Sequence, residues 1–176
     1  MDPPDLQDSA VLVPVHRGPD GRVRLVIVRR APGGLHGGQL AFPGGKRDPG
    51  DASLLDTALR EAEEEIGLPR AAVTPLAALP PFETRVTGFR IHPFLARIAP
   101  PPRWRAAPAE IAEVIEADLA DLARPDAQGE SLERFPGRDA PVLIRFVRVG
   151  EHRLWGASYL ILSPLLPRLL SGEWGI

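Results

Sequence analysis

The chain has 176 residues, 21 of them basic and 23 acidic, a formal net charge of −2 and no cysteine. That length suits a single domain with a full core, and so small a charge gives no bulk electrostatic reason to bind nucleic acid or a membrane surface. Without cysteine there are no disulfides, thiolate metal sites or cysteine nucleophiles.

The start, Met1-Asp2-Pro3-Pro4-Asp5, lacks the basic and apolar regions of a secretion signal. No run reaches the roughly 18 uncharged apolar residues of a membrane span, so a cytoplasmic location is expected. Lys46 is the single lysine among the basic residues, a strong arginine bias.

Ser9–Arg17 and Arg22–Arg30 are β-rich and joined by Gly18-Pro19-Asp20-Gly21, which predicts a hairpin. Residues 31–41 carry Pro32, Gly33, Gly34, Gly37 and Gly38 and read as a loop. Ala52–Ile66 is the best helix: Leu55, Ala58, Leu59, Ala62 and Ile66 recur at helical spacing, and Gly67 suits the position after its last turn. Ala71–Leu79 and Phe89–Ile98 read as strands on either side of Pro80-Pro81, and Ala99–Pro108 as an extended proline-rich connector. Glu110–Glu116 reads as a strand followed by a helical turn at Ala117–Ala123, and residues 125–138 as a long polar loop able to cover a substrate. Pro141–Val149 is expected to be a buried strand, with Arg153–Trp155 as a short continuation and Trp155 in the core. Gly156–Leu170 is apolar and helical in character. Pro164 and Pro167 leave two options, a helix capped by Ser163 or a kinked helix starting near Ala157. Strands alternating with two helices after an early hairpin point to an α/β sandwich with a mixed sheet, with 1–176 as one domain.

The chemistry concentrates in Arg60-Glu61-Ala62-Glu63-Glu64-Glu65-Ile66-Gly67-Leu68, fifteen residues beyond the turn Phe42-Pro43-Gly44-Gly45. Glu61, Glu64 and Glu65 fall at i, i+3 and i+4, so they crowd one side of the helix beside its apolar stripe. Such like charges repel unless a cation sits between them, and carboxylate oxygens suit hard divalent ions. Glu63 projects elsewhere and reads as solvated.

The segment Gly45-x5-Asp51-x8-Arg60-Glu61-Ala62-x-Glu64-Glu65-x-Gly67-Leu68 resembles the Nudix box of metal-dependent hydrolases of nucleoside-diphosphate-linked compounds. It has Asp51 where Glu is usual and one residue more before Arg60. The resemblance implies an α/β/α sandwich with a mixed sheet and Mg²⁺ or Mn²⁺ as cofactor. It implies Glu61, Glu64 and Glu65 as metal ligands, helped by a carbonyl of Gly44 or Gly45, with Arg60 orienting one of the glutamates. A general base outside the box is common in this family. Glu110 and Glu113 are the candidates, a box glutamate being the other option, and strand alternation would turn Glu110 and Glu113 to opposite faces.

A wider set of matches resembles the Nudix group that cleaves coenzyme A: Gly38-x3-Phe42-Pro43-Gly44-Gly45 with Lys46-Arg47-Asp48 and Asp51, Thr57-Ala58-Leu59-Arg60-Glu61-Ala62, Thr87-Gly88-Phe89 with Pro93, and Leu154-Trp155-Gly156-Ala157. That group usually has Arg where Gly34 stands and Arg-Ser where Arg29-Arg30 stand. A coenzyme A site needs cations for the 3′-phosphate and diphosphate, which Arg29, Arg30, Lys46, Arg47, Arg85 and Arg90 could supply, with Phe82, Phe89 or His36 against the adenine. Gly44 and Gly45 would let bare backbone approach the substrate. ADP-ribose or a dinucleoside polyphosphate is the alternative substrate, and a non-catalytic binding module of the same fold the alternative of another class. The sequence singles out neither monomer nor homodimer.

Overall fold

The computed structural model describes residues 6–34, 36–84 and 88–176. Three strands set its centre. In β1 (Gln7–Arg17) Ala10 and Leu12 face one side and Val13 and Val15 the other, all fully buried. In β2 (Val23–Arg30) Val26 and Val28 oppose Leu25 and Ile27 in the same way. Strands buried on both faces are apolar nearly throughout, because each face carries its own core. The expected hairpin forms, with Val15 opposite Leu25. The third strand, β7 (Phe89–Ile98), lies parallel to β1, from Gln7 opposite Phe89 to Val15 opposite Arg97.

Helix α1 (Leu54–Ile66) starts where the Ser53 hydroxyl accepts the Asp56 N–H and ends at Gly67, whose φ of 68° suits glycine. It packs Ala58, Ala62 and Ile66 onto Ala10, Leu12, Val26, Val28 and Ala96. Helix α3 (Gly156–Leu170) covers the other face with Ile161, Leu162 and Leu165 against Val13, Val15, Leu25 and Ile27. The result is the expected α/β/α sandwich with a mixed sheet. With β3 (Leu40–Ala41) and β5 (Val73–Ala78), its order is β3-β2-β1-β7-β5. The short strands β4 (Gly44–Lys46), β6 (Phe82–Thr84) and β8 (Ile111–Asp118) pair with β1, β7 and β2. Among the described residues no helix is long and apolar enough to cross a membrane.

Several expectations are corrected. Residues 125–138 are not simply a loop: after α2 (Leu119–Leu122) and a 3₁₀ turn at Pro125–Ala127 comes β9 (Gln128–Glu133). It forms a small antiparallel sheet with β10 (Val142–Val149) and β11 (His152–Trp155). The strand escapes notice because its inward positions include Gly129 and Ser131 rather than large apolar residues. Gly129 is needed there, since a Cβ would stand 2.5 Å from the Phe146 ring. Strand β10 is buried only from Phe146 onward; Leu143 and Arg145 are exposed. Trp155 is half-buried and stacks 5.7 Å from Phe135 instead of filling the core.

The C-terminal helix begins at Gly156, not at a Ser163 cap. Both prolines lie on its exposed side, and the carbonyls they leave without a helical partner belong to the exposed Leu160 and Ser163. The strand expected from Glu110 starts at Ile111. Glu110 lies in the preceding turn, because its N–H and that of Ile111 both bond the Ala107 carbonyl. Ala117 and Asp118 extend that strand, and Asp118 then caps α2 through the Ala120 N–H.

Candidate active site

One guanidinium organises the polar edge of α1. Arg60 Nε and Nη2 donate to the two oxygens of Asp51 at 2.9 and 3.0 Å, and Nη2 also donates to the Lys46 carbonyl at 3.1 Å. Its Nη1 donates to Glu61 at 3.0 Å and Glu64 at 3.1 Å. The buried Asp51 further accepts the Asp48 N–H at 2.9 Å and the Thr57 hydroxyl at 2.8 Å. The bonds from Arg60, aided by Asp48 and Thr57 and opposed by burial, hold the Asp51 carboxyl well below the usual carboxylate range. Arg60 is raised in turn, chiefly by Asp51. Asp51 and Thr57 thus lock Arg60 in place. Thr57 stands in the matched run Thr57-Ala58-Leu59-Arg60-Glu61-Ala62, but the sequence assigns it no role of its own.

The glutamates beyond Arg60 are unequal. Glu64 is exposed, and Glu63 is exposed with Arg70 3.7 Å away. The Glu61 side chain is 15% exposed and that of Glu65 only 3%. Burial raises the Glu61 carboxyl, with Arg60 opposing and Glu64 and Glu110 adding to the rise. Burial pushes Glu65 up to about 7, against the pull of the Gly44 N–H and Arg30. The Gly44 N–H donates to Glu65 at 3.0 Å, and Arg30 Nη1 stands 3.9 Å from its other oxygen.

Gly44 and Gly45 are therefore explained differently from the expected turn. They belong to β4, paired with β1 so that Val11 lies opposite Gly44 and Ala10 opposite Gly45. A Cβ on Gly44 would stand 2.3 Å from the Ala10 carbonyl oxygen, and one on Gly45 2.4 Å from a Glu61 oxygen. The missing side chains admit β1 on one side and the Glu61 carboxylate of α1 on the other.

The structure separates Glu110 from Glu113. The Glu110 charge acts on both Glu61 and Glu65. Glu113 pairs with Arg29 directly across the β2–β8 ladder at 3.1 Å, with His152 3.7 Å away. Arg29 is thereby engaged with Glu113, while Arg30 turns to Glu65. Lys46 Nζ lies 5.3 Å over the Phe89 ring. Arg47 Nη2 reaches the Asp51 carbonyl at 3.4 Å, and Arg90 pairs with Glu83 at 3.0 Å. His36 contacts Gln39, and Phe82 joins the core beneath α3. Arg85 and Thr87 lie outside the described residues.

The donor set suits a divalent cation in kind. Asp51, Glu61, Glu64, Glu65 and Glu110 outnumber the nearby Arg30 and Arg60, and all offer hard oxygen. In this conformation Arg60 lies against Glu61 and Glu64, and among the described residues no three acidic or histidine side chains are gathered into a ready metal site.

Comparison with known proteins agrees with this reading. The NUDIX domain profile matches residues 6–136. A Cronobacter sakazakii protein named "Uncharacterized Nudix hydrolase NudL" is 40% identical over 153 residues, 87% of this chain and 72% of its own length. A Salmonella paratyphi B protein of the same name is 39% identical over 157 residues, with the same coverage of both chains. Among solved structures, a MutT/nudix family protein from Enterococcus faecalis superimposes with a TM-score of 0.64 at 16% identity, over 97% of this chain and 64% of that one. A C. elegans Ap4A hydrolase gives 0.55 at 20% identity over 66% of this chain and 82% of that one. The chain belongs to the Nudix family and is one of its hydrolases, enzymes that act on diphosphate bonds of nucleotide-derived compounds and generally use divalent metal ions.

Proposed function

We propose that the protein is a coenzyme A pyrophosphohydrolase, splitting coenzyme A or an acyl derivative into 3′,5′-ADP and the corresponding (acyl-)phosphopantetheine with Mg²⁺ or Mn²⁺. The observation that carries the chemistry is the pair of largely buried carboxylates, Glu61 and Glu65, with the chain leading to Glu110 tied to the Glu65 carbonyl through the Ala107 N–H at 2.9 Å. The choice of coenzyme A is supported by the sequence matches around Phe42-Pro43-Gly44-Gly45 and Leu154-Trp155-Gly156-Ala157.

Glu61, Glu64 and Glu65 would hold the metal. When bound it neutralises the diphosphate and acidifies water. Arg60, locked by Asp51, orients Glu61 and Glu64. Glu110 accepts the proton of the attacking water as the bridging P–O bond breaks. Arg30, Lys46 and Arg47 are the cations at hand for the phosphates, Gly44 and Gly45 keep the strand edge narrow, and Arg29 contributes only by leaving Glu113. The unit of function is 1–176, in the cytoplasm; a homodimer is left to measurement of mass in solution.

A second substrate, ADP-ribose, is favoured by Gly34, which stands where the coenzyme A group has Arg. Turnover of coenzyme A, ADP-ribose and diadenosine polyphosphates with either metal, with and without Glu65→Gln, separates the readings. Preference for coenzyme A is the expected result. Much faster ADP-ribose cleavage overturns the substrate, and no turnover of any supports a binding module.

A further inference from the structure

Between β7 and β8 the chain crosses the end of α1 in a stretch poor in backbone donors, since Pro100, Pro101, Pro102 and Pro108 have no N–H. Few bonds hold it. The Arg105 N–H donates to the Ile66 carbonyl at 3.1 Å and the Ala107 N–H to the carbonyl of Glu65 itself at 2.9 Å. The Ala99 N–H donates to the Ala72 carbonyl at 2.9 Å where the stretch begins, and a side chain adds an anchor in its middle: the Trp104 indole N–H donates to Glu116 at 2.7 Å. Trp104 also packs against the α1-side core. The other Glu116 oxygen stands 2.9 Å from Nε2 of His16, which is 3% exposed; the approach is close but off hydrogen-bond alignment, and neither ring nitrogen has a hydrogen-bond partner among the described residues.

The same stretch carries Glu110. The Glu110 N–H bonds back to the Ala107 carbonyl, and the Glu110 carbonyl accepts the Ala31 N–H at 2.7 Å. Glu110 is thus placed by a short path from Trp104 through Ala107, tied at one end to the sheet and at the other to the residue after Arg30.

We propose that Trp104 is a positioning residue: with Glu116 braced by His16, its indole docks the proline-rich crossing and so fixes Glu110 beside Glu61 and Glu65. The inference rests on the reading of Glu110 as the base. Trp104→Phe keeps a ring and removes the donor. Glu116→Gln keeps an acceptor for the indole and offers an N–H to His16, whereas Glu116→Leu keeps neither.

With coenzyme A, and ADP-ribose in parallel, at saturating Mn²⁺, Trp104→Phe and Glu116→Leu should each lower kcat by about tenfold with KM little changed, the loss expected for one hydrogen bond to a charged group. Glu116→Gln should stay near wild type. Added to Glu110→Gln, Trp104→Phe should cost nothing more, because both act through one group. Independently of turnover, exchange of the Ala107, Glu110 and Ala31 amides should quicken by about tenfold in Trp104→Phe. Losses that multiply in the double variant, or unchanged exchange at those amides, would overturn the proposal. If Glu110→Gln is inactive while Trp104→Phe turns over normally, the inference alone falls. If Glu110→Gln is fully active, the base assignment falls and takes the inference with it.

Discussion

Arginines meet glutamates in two regions of this molecule under opposite conditions. On the small β9–β10–β11 sheet each pair is exposed and nearly one to one: Arg153 with Glu133 at 3.1 Å, Arg145 with Glu130 at 3.7 Å. Arg153 there also lies 5.1 Å over the Phe146 ring. At the α1 edge one guanidinium is divided among Asp51, Glu61 and Glu64, and the most buried acid, Glu65, has among the described residues only the Gly44 N–H and a distant Arg30 as partners for its side chain. Water can satisfy the first set. The second holds a surplus of negative charge in a place where water is scarce, which is the condition under which a bound cation repays its own desolvation. The lesson is that the count of ion pairs says little, and the residue left short of a partner says where a ligand goes.

That contrast can be broken in stages. The largest effect belongs to Glu61→Gln or Glu65→Gln, each expected to lower kcat by about a thousandfold while the far-ultraviolet circular dichroism stays native. Wild-type turnover at saturating metal would contradict it. Glu110→Gln should cost about a hundredfold, the usual range for a general base, seen in kcat rather than KM.

Stability sharpens the comparison next. Asp51→Ala strands the Arg60 guanidinium and the Thr57 hydroxyl, and should cost about 3 kcal/mol in urea unfolding. In metal-free protein the raised Glu65 carboxyl has a defined sign. Its folded value of about 7 lies above the ordinary 4.5 of a glutamate, so this group's contribution to stability is fullest below pH 4.5 and is lost as pH rises through 7. The loss is up to about 3 kcal/mol. It should vanish in Glu65→Gln, and divalent metal should reduce it. A chelated wild type that gains stability between pH 5 and 8 would refute the assignment. The smallest effect is on the small sheet, where Arg153→Ala should leave kcat unchanged and move the melting temperature little, as exposed pairs do.

Much of this was legible in the chain because the strongest signals are periodic. The spacing of Ala58, Ala62 and Ile66 gave α1, and the doubly apolar runs of β1 and β2 gave the centre of the sheet. The crowding of Glu61, Glu64 and Glu65 marked the site. What stayed hidden depends on contacts distant in sequence. Strand β9 is built on a glycine, Gly129, that makes room for Phe146 directly opposite it in the β9–β10 pairing, not on alternating apolar residues. The glycines of β4 answer to Ala10 and Glu61 rather than to a turn. Glu110 and Glu113 could not be told apart by alternation, since only Glu113 is in the strand. Asp51, shorter by a methylene than the usual Glu, still reaches Arg60 because Thr57 and the Asp48 N–H hold it close.

The most direct measurement is calorimetric titration of Mn²⁺ into metal-free protein at pH 8, wild type beside the Glu61→Gln/Glu65→Gln double variant. Saturable binding by the wild type, abolished in the double variant, is the predicted result. Equal binding by the two, or none by either, would contradict the claim that this buried acidic edge is where the metal is held.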